Sequence, residues 1–201
     1  MRRRTFVATV GLASLAGCAA DNNGGGSTDG ESEQSPDAQL PSNAPENTDV
    51  VITDNLLEVY LSEIEEISEI RVVDDGELRT VEPANDVFIH AIVEVWNMSE
   101  EERDRMDSST FRLWSAGDVY IELLELPGGH SVHEIRDERI FQTDWDRDRA
   151  PGFESLNPDN IERLMFLFDV PESSGYLMEW EPTAPIDGST ERVYLRERTD
   201  E

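Results

Sequence analysis

From Val87 to Trp96 the chain runs almost without a polar break, and its side chains alternate between two faces. Val87, Ile89, Ala91, Val93 and Val95 share one face by the two-residue period of a strand. Phe88, His90, Ile92, Glu94 and Trp96 share the other. The first face is the expected core. Leu164 to Val170 repeats the pattern and is closed by Pro171, which cannot donate to a ladder and so suits a strand end.

Phe111 to Trp114 and Val119 to Ile121 flank an Ala116-Gly117-Asp118 turn. Arg71 to Val73 and Leu78 to Val81 flank Asp74-Asp75-Gly76, which reads as a hairpin. Tyr176 to Trp180 and Arg192 to Arg196 add two further strands. Leu56 to Ile67 fits both a strand and a helical face; its neighbours favour a strand. Ser99-Glu100-Glu101-Glu102 has the spacing of a capping box and predicts one short helix reaching Met106. Short strands separated by turn signals predict an all-β fold, an antiparallel β-sandwich with one short helix.

The amino end has a different character. Arg2, Arg3 and Arg4 precede a short apolar stretch, Thr5 to Ala16, and then Leu15-Ala16-Gly17-Cys18. Charge, length and small residues before the sole cysteine resemble a lipoprotein signal, in which Cys18 becomes the lipidated first residue. Arg3-Arg4-Thr5-Phe6 resembles a twin-arginine export signal. Residues 1–17 are thus assigned to a signal peptide. Residues 18–48 are read as the lipidated cysteine and a disordered linker rich in Gly, Ser, Asn, Asp and Pro. Such a linker spans on the order of 30 Å. Residues 49–198 are the sandwich domain.

Composition narrows the partners. The 201 residues carry 45 Asp plus Glu against 16 Lys plus Arg, a formal charge of -29, so nucleic acid is excluded as a partner by repulsion. Every one of the 16 positive residues is Arg. Dispersed acidity without Lys resembles the proteins of halophilic archaea. At about 1 M salt the Debye length is roughly 3 Å, and repulsion among carboxylates is heavily screened. One cysteine permits no intrachain disulfide.

Phe88 with Val95-Trp96-Asn97, Ser109 to Leu113, Gly117 to Tyr120 and Leu164 to Pro171 together resemble the immunoglobulin-like domains of unknown function carried by prokaryotic lipoproteins. The resemblance covers roughly residues 56–196. It implies an immunoglobulin-like sandwich, and since that family has no assigned catalytic residues, none is carried over. The stretch from Pro127 to Asn160 is longer than that pattern implies.

Candidate chemistry is sparse. His130 and His133 are the one close histidine pair and the candidate ligand-binding residues, although Gly128-Gly129 places them in a loop. Asp144, Asp146 and Asp148 are spaced as in a calcium loop, but Arg149 and Ser155 stand where an EF-hand needs Gly and Glu. His90 reads as a packed strand residue. Trp96, Trp114, Trp145 and Trp180 read as core and sheet-edge packing rather than a ligand platform. Asn97-Met98-Ser99 is a sequon that makes Asn97 a candidate glycosylation site. No nucleophile elbow or phosphate loop is present. The sequence therefore predicts a non-enzymatic lipoprotein without cofactor or resident metal. It would be held to the outer face of the cell membrane by a lipid anchor and serve an envelope or membrane protein complex. The alternative is a metal- or small-solute-binding lipoprotein serving a transporter.

Overall fold

The computed structural model describes residues 40–104, 106–136 and 155–198. In chain order the strands are β1 (Val51–Ile52), β2 (Leu57–Ile67), β3 (Ile70–Asp74), β4 (Glu77–Val81), β5 (Val87–Asn97), β6 (Arg103–Asp104) and β7 (Phe111–Ser115). They continue as β8 (Asp118–Tyr120), β9 (Glu125–Leu126), β10 (His130–Ser131), β11 (Ser155–Leu156), β12 (Ile161–Val170), β13 (Tyr176–Trp180) and β14 (Val193–Leu195). The ambiguous segment after Leu56 is strand β2. Both expected hairpins form. Asp75-Gly76 and Ala116-Gly117 each supply two consecutive positive φ angles, 51° and 82° and then 53° and 104°. This is the conformation that two-residue hairpin loops require.

Two four-stranded antiparallel sheets face each other, one in the order β1-β2-β5-β12 and the other β14-β13-β7-β8. This is the β-sandwich that the alternation of apolar residues predicted. The core between them holds Val59, Leu61, Ile89, Ala91, Val93 and Val95 from the first sheet and Leu113, Met178 and Leu195 from the second. An aromatic stack ties the layers together. The Phe111 ring lies 5.6 Å from Trp180 and 5.4 Å from Phe166, and Phe166 lies 6.2 Å from Phe168. After β14 the chain crosses from one sheet to the other. Leu195 bridges Thr48, and Glu197 bridges Leu61.

A second core lies on the opposite face of the first sheet. Ile67, Phe88, Ile92, Met165 and Leu167 are buried there beneath Ile70, Val72 and Val81 of the β3–β4 hairpin and beneath Leu126, Val132 and Ile135. Backbone bonds fasten this cover: Leu123 N–H donates to Leu167 O at 2.7 Å, and Arg136 N–H to Arg71 O at 2.8 Å. Strands β5 and β12 are therefore buried on both faces over much of their length, which is why their sequences are nearly continuous apolar runs. The face beginning at Val87 forms the main core as expected, and the face of Phe88 and Ile92 is buried in a second one. The long segment after Pro127 supplies part of the cover through β10 and the 3-10 turn Val132–Glu134.

The helix expected after Ser99 does not form among the described residues. That stretch holds bends and the short strand β6, and the nearest helical turn is the 3-10 turn Ser108–Thr110. The Ser99 hydroxyl donates to Asn97 Oδ1 at 2.7 Å and lies 2.9 Å from Glu101 O, so it is held in a local turn instead of capping a helix. Part of the segment assigned to the linker is packed. Leu40 lies against Gly175, and Thr48 N–H donates to Tyr194 O at 3.0 Å. Residues 1–39, including Cys18, lie outside the described residues.

Candidate functional site

The second core covers only part of the outer face of the first sheet. Beyond Ile92 and Met165 the outward positions come in register as cross-strand rows. The first row is Tyr60, Glu94 and Arg163; the next is Ile52, Glu58, Trp96 and Ile161. Period-two alternation places both rows outside while Val59, Val93 and Val95 point to the main core.

Glu58, Tyr60, Trp96, Ile161 and Arg198 line a groove of about 350 Å³. Arg198 arrives from the segment that follows β14. Its backbone N–H donates to Leu61 O at 2.9 Å, which fixes its position beside β2. Its guanidinium sits 4.7 Å from the centre of the Tyr60 ring and donates to Glu58 Oε1 at 3.0 Å. Both a cation–π contact and a charge-assisted bond thus hold one side chain.

Behind the groove, Glu94 is nearly buried, at 9% exposure, and a carboxylate at that depth needs partners. Arg163 Nε donates to Glu94 Oε1 at 2.8 Å, and the Tyr60 hydroxyl donates to Glu94 Oε2. Burial, followed by the hydrogen bond and charge of Glu94, pushes the Tyr60 hydroxyl up to about 12, against a smaller opposing effect of Arg198. Tyr60 is therefore a fixed proton donor at neutral pH and not a base. The groove offers an aromatic and aliphatic floor with a carboxylate and a guanidinium at its rim.

The residues singled out from sequence are placed as follows. His130 is in β10, with Nδ1 4.0 Å from Glu134 Oε2, and Glu134 Oε2 also accepts from Ser131 N–H at 2.9 Å. His133 is in the adjoining 3-10 turn. Among the described residues no three His, Cys, Asp or Glu side chains are grouped to hold a metal ion. Trp96 lines the groove, whereas Trp114 and Trp180 are buried. Trp145 and the aspartates at 144, 146 and 148 lie outside the described residues. His90 is fully buried beneath the second layer, and burial lowers its pKa to about 4, so the ring is neutral.

Asn97 requires a correction. Its side chain is fully buried, and its amide donates to Glu101 O at 2.8 Å and Leu156 O at 2.9 Å. Both amide hydrogens are committed, so the folded protein does not present Asn97 for glycosylation. Sequence reasoning missed Glu58, Tyr60, Ile161 and Arg198. Glu58 and Tyr60 carried a signal, since they alternate with Leu57, Val59 and Leu61. Arg198 carried none, because it meets Glu58 across 140 residues.

A further ion cluster lies on the second sheet. Glu179, 1% exposed, has Arg192 Nη1 at 3.4 Å and Arg112 Nη1 at 3.6 Å, and Tyr194 donates to it at 3.1 Å. The two guanidiniums offset the charge of this buried carboxylate, while its Oε1 accepts no hydrogen bond.

No protein-family model matches the chain, and no curated protein matches it. Among solved structures it is similar to a conserved hypothetical protein from Bacillus anthracis, at 12% identity and a TM-score of 0.43, over 75% of this chain and 94% of that one. An uncharacterized β-sandwich protein from Clostridium difficile 630 shares 13% identity at a TM-score of 0.37, over 79% and 100%. A candidate lipoprotein from Bacillus subtilis shares 11% at 0.41, over 75% of this chain and 39% of its own.

Proposed function

We propose that this chain is a non-enzymatic, lipid-anchored binding or accessory domain on the outer face of the cell membrane, exported through its twin-arginine leader. The location rests on the sequence that ends in Leu15-Ala16-Gly17-Cys18. The observation that carries the binding role is the state of the groove: its polar groups are already paired, Glu58 with Arg198 and Tyr60 with Glu94. Such a constellation recognises a surface and does not move a proton. Tethering to the membrane raises its effective concentration near a membrane or envelope partner. The absence of Lys and the charge of -29 support a working environment of concentrated salt. The alternative, a metal- or solute-binding lipoprotein feeding a transporter, draws on His130, His133 and the Trp residues.

Detergent-phase partitioning tests the anchor. The full chain, expressed in a salt-adapted host, should enter the detergent phase with Cys18 as its lipid-modified amino terminus by mass spectrometry. The Cys18→Ser chain should stay aqueous. A wild-type chain recovered in the aqueous phase with residues 1–17 still attached would refute the proposal.

A further inference from the structure

We infer that the groove of Glu58, Tyr60, Trp96, Ile161 and Arg198 is a binding site for a neutral saccharide. This deepens the surface-binding reading and rests on it.

The floor is apolar and faces outward. Ile161 is 52% exposed, and the half-buried Trp96 stands beside it in one cross-strand row. The same sheet face two rows away is sealed by the second core, so the apolar character of this row is not required by the packing. A pyranose ring has one face of C–H groups that stacks on an indole and a perimeter of hydroxyls that both donate and accept. The rim supplies the matching groups. Glu58 accepts and Arg198 donates, and both are planar and fixed. A guanidinium has five N–H donors and a carboxylate about four acceptor sites. Their mutual bond therefore leaves capacity on each for adjacent hydroxyls.

Charge selects against other ligands. The chain carries -29, so anions are repelled from its surface. The position over the Tyr60 ring, where a cationic ligand would sit, is filled by Arg198, which also neutralises Glu58. A neutral, hydroxyl-rich ring is what remains. The volume of about 350 Å³ falls in the range of small-ligand sites.

The test is an array of neutral oligosaccharides built from glucose, mannose, galactose and N-acetylhexosamines. It is probed with the full chain in detergent micelles at molar KCl and followed by titration calorimetry with the strongest hit. Binding is expected. It should weaken about tenfold or more in Trp96→Ala, as for a central aromatic anchor. Ile161→Asp, at an exposed position, should weaken it with an unchanged circular-dichroism spectrum. Trp96→Phe should retain most of it. Three results would each overturn the inference. The first is no retained neutral saccharide on a folded chain, and the second is binding that survives both Trp96→Ala and Ile161→Asp. The third is light scattering that shows this face occupied by a second copy, with dimers lost in Ile161→Asp. None of these depends on Cys18, so failure here is distinguishable from failure of the anchor.

Discussion

His90 is a buried titratable group at the centre of a sheet, and it makes the stability of the second core depend on pH. Its side chain lies between cross-strand neighbours Glu65 and Leu167, on the face covered by the β3–β4 hairpin. Burial lowers its pKa from 6.5 to about 4. Above pH 6.5 the ring is neutral in both the folded and the unfolded chain, and it contributes nothing to the pH dependence. As pH falls below 6.5 the unfolded chain takes up a proton that the folded chain refuses, so stability falls. Linkage gives a loss of about 2 kcal/mol by pH 5 and about 3 kcal/mol by pH 4, where the folded group begins to titrate. For a domain of this size, 2 kcal/mol corresponds to a melting temperature lower by about 4–8 °C.

The many carboxylates also titrate in acid, so the effect is read as a difference between two chains. His90→Leu keeps a side chain of similar size and removes the proton site. Melting curves of both proteins in molar KCl at pH 7.5 and pH 5 should show the wild type losing about 4–8 °C more than the variant. Parallel losses would refute the argument. A wild type that gains relative to His90→Leu on acidification would mean that Glu65 holds an imidazolium, the opposite of the burial effect.

Two further outcomes follow from the same structure. Leu167 is fully buried in the second core, so Leu167→Ala should cost about 2–5 kcal/mol in chemical denaturation; a cost within experimental error would show that the outer layer contributes no packing. Lowering KCl from molar to about 10 mM lengthens the Debye length from about 3 Å to about 30 Å and should lower the melting temperature, whereas an unchanged value would remove the salt-adapted reading.

The strands were legible because each carries its own alternation, and the two tight hairpins because Asp75-Gly76 and Ala116-Gly117 spell them locally. The second core was partly legible. Phe88 and Ile92 on β5, and Met165 and Leu167 on β12, are apolar on the face opposite the main core, which signals burial on both sides. What could not be read was the identity of the cover, since Ile70, Val72 and Ile135 are joined to that face only by tertiary contacts. The helix after Ser99 failed for a related reason. Its capping signal is local, but Asn97 ties this stretch to Leu156, 59 residues away, and the Ser99 hydroxyl is drawn into that turn. Trp96 stood out in the sequence as one of four tryptophans. Its separation from the two buried ones depends on where the outer layer stops.

The row of Tyr60, Glu94 and Arg163 sets that stopping point. On one side of it Ile92 and Met165 belong to the second core; on the other Trp96 and Ile161 line the groove. An apolar residue in place of Glu94 would extend the dry surface and invite the cover to slide along the sheet. A nearly buried carboxylate instead demands partners in fixed places, and Tyr60 and Arg163 flank it on the two neighbouring strands. The same bond that satisfies Glu94 orients the Tyr60 ring, and that ring carries Arg198. The polar row is thus both the boundary of the second core and the back wall of the groove, so one buried acid links the fold of the sheet to the shape of that groove.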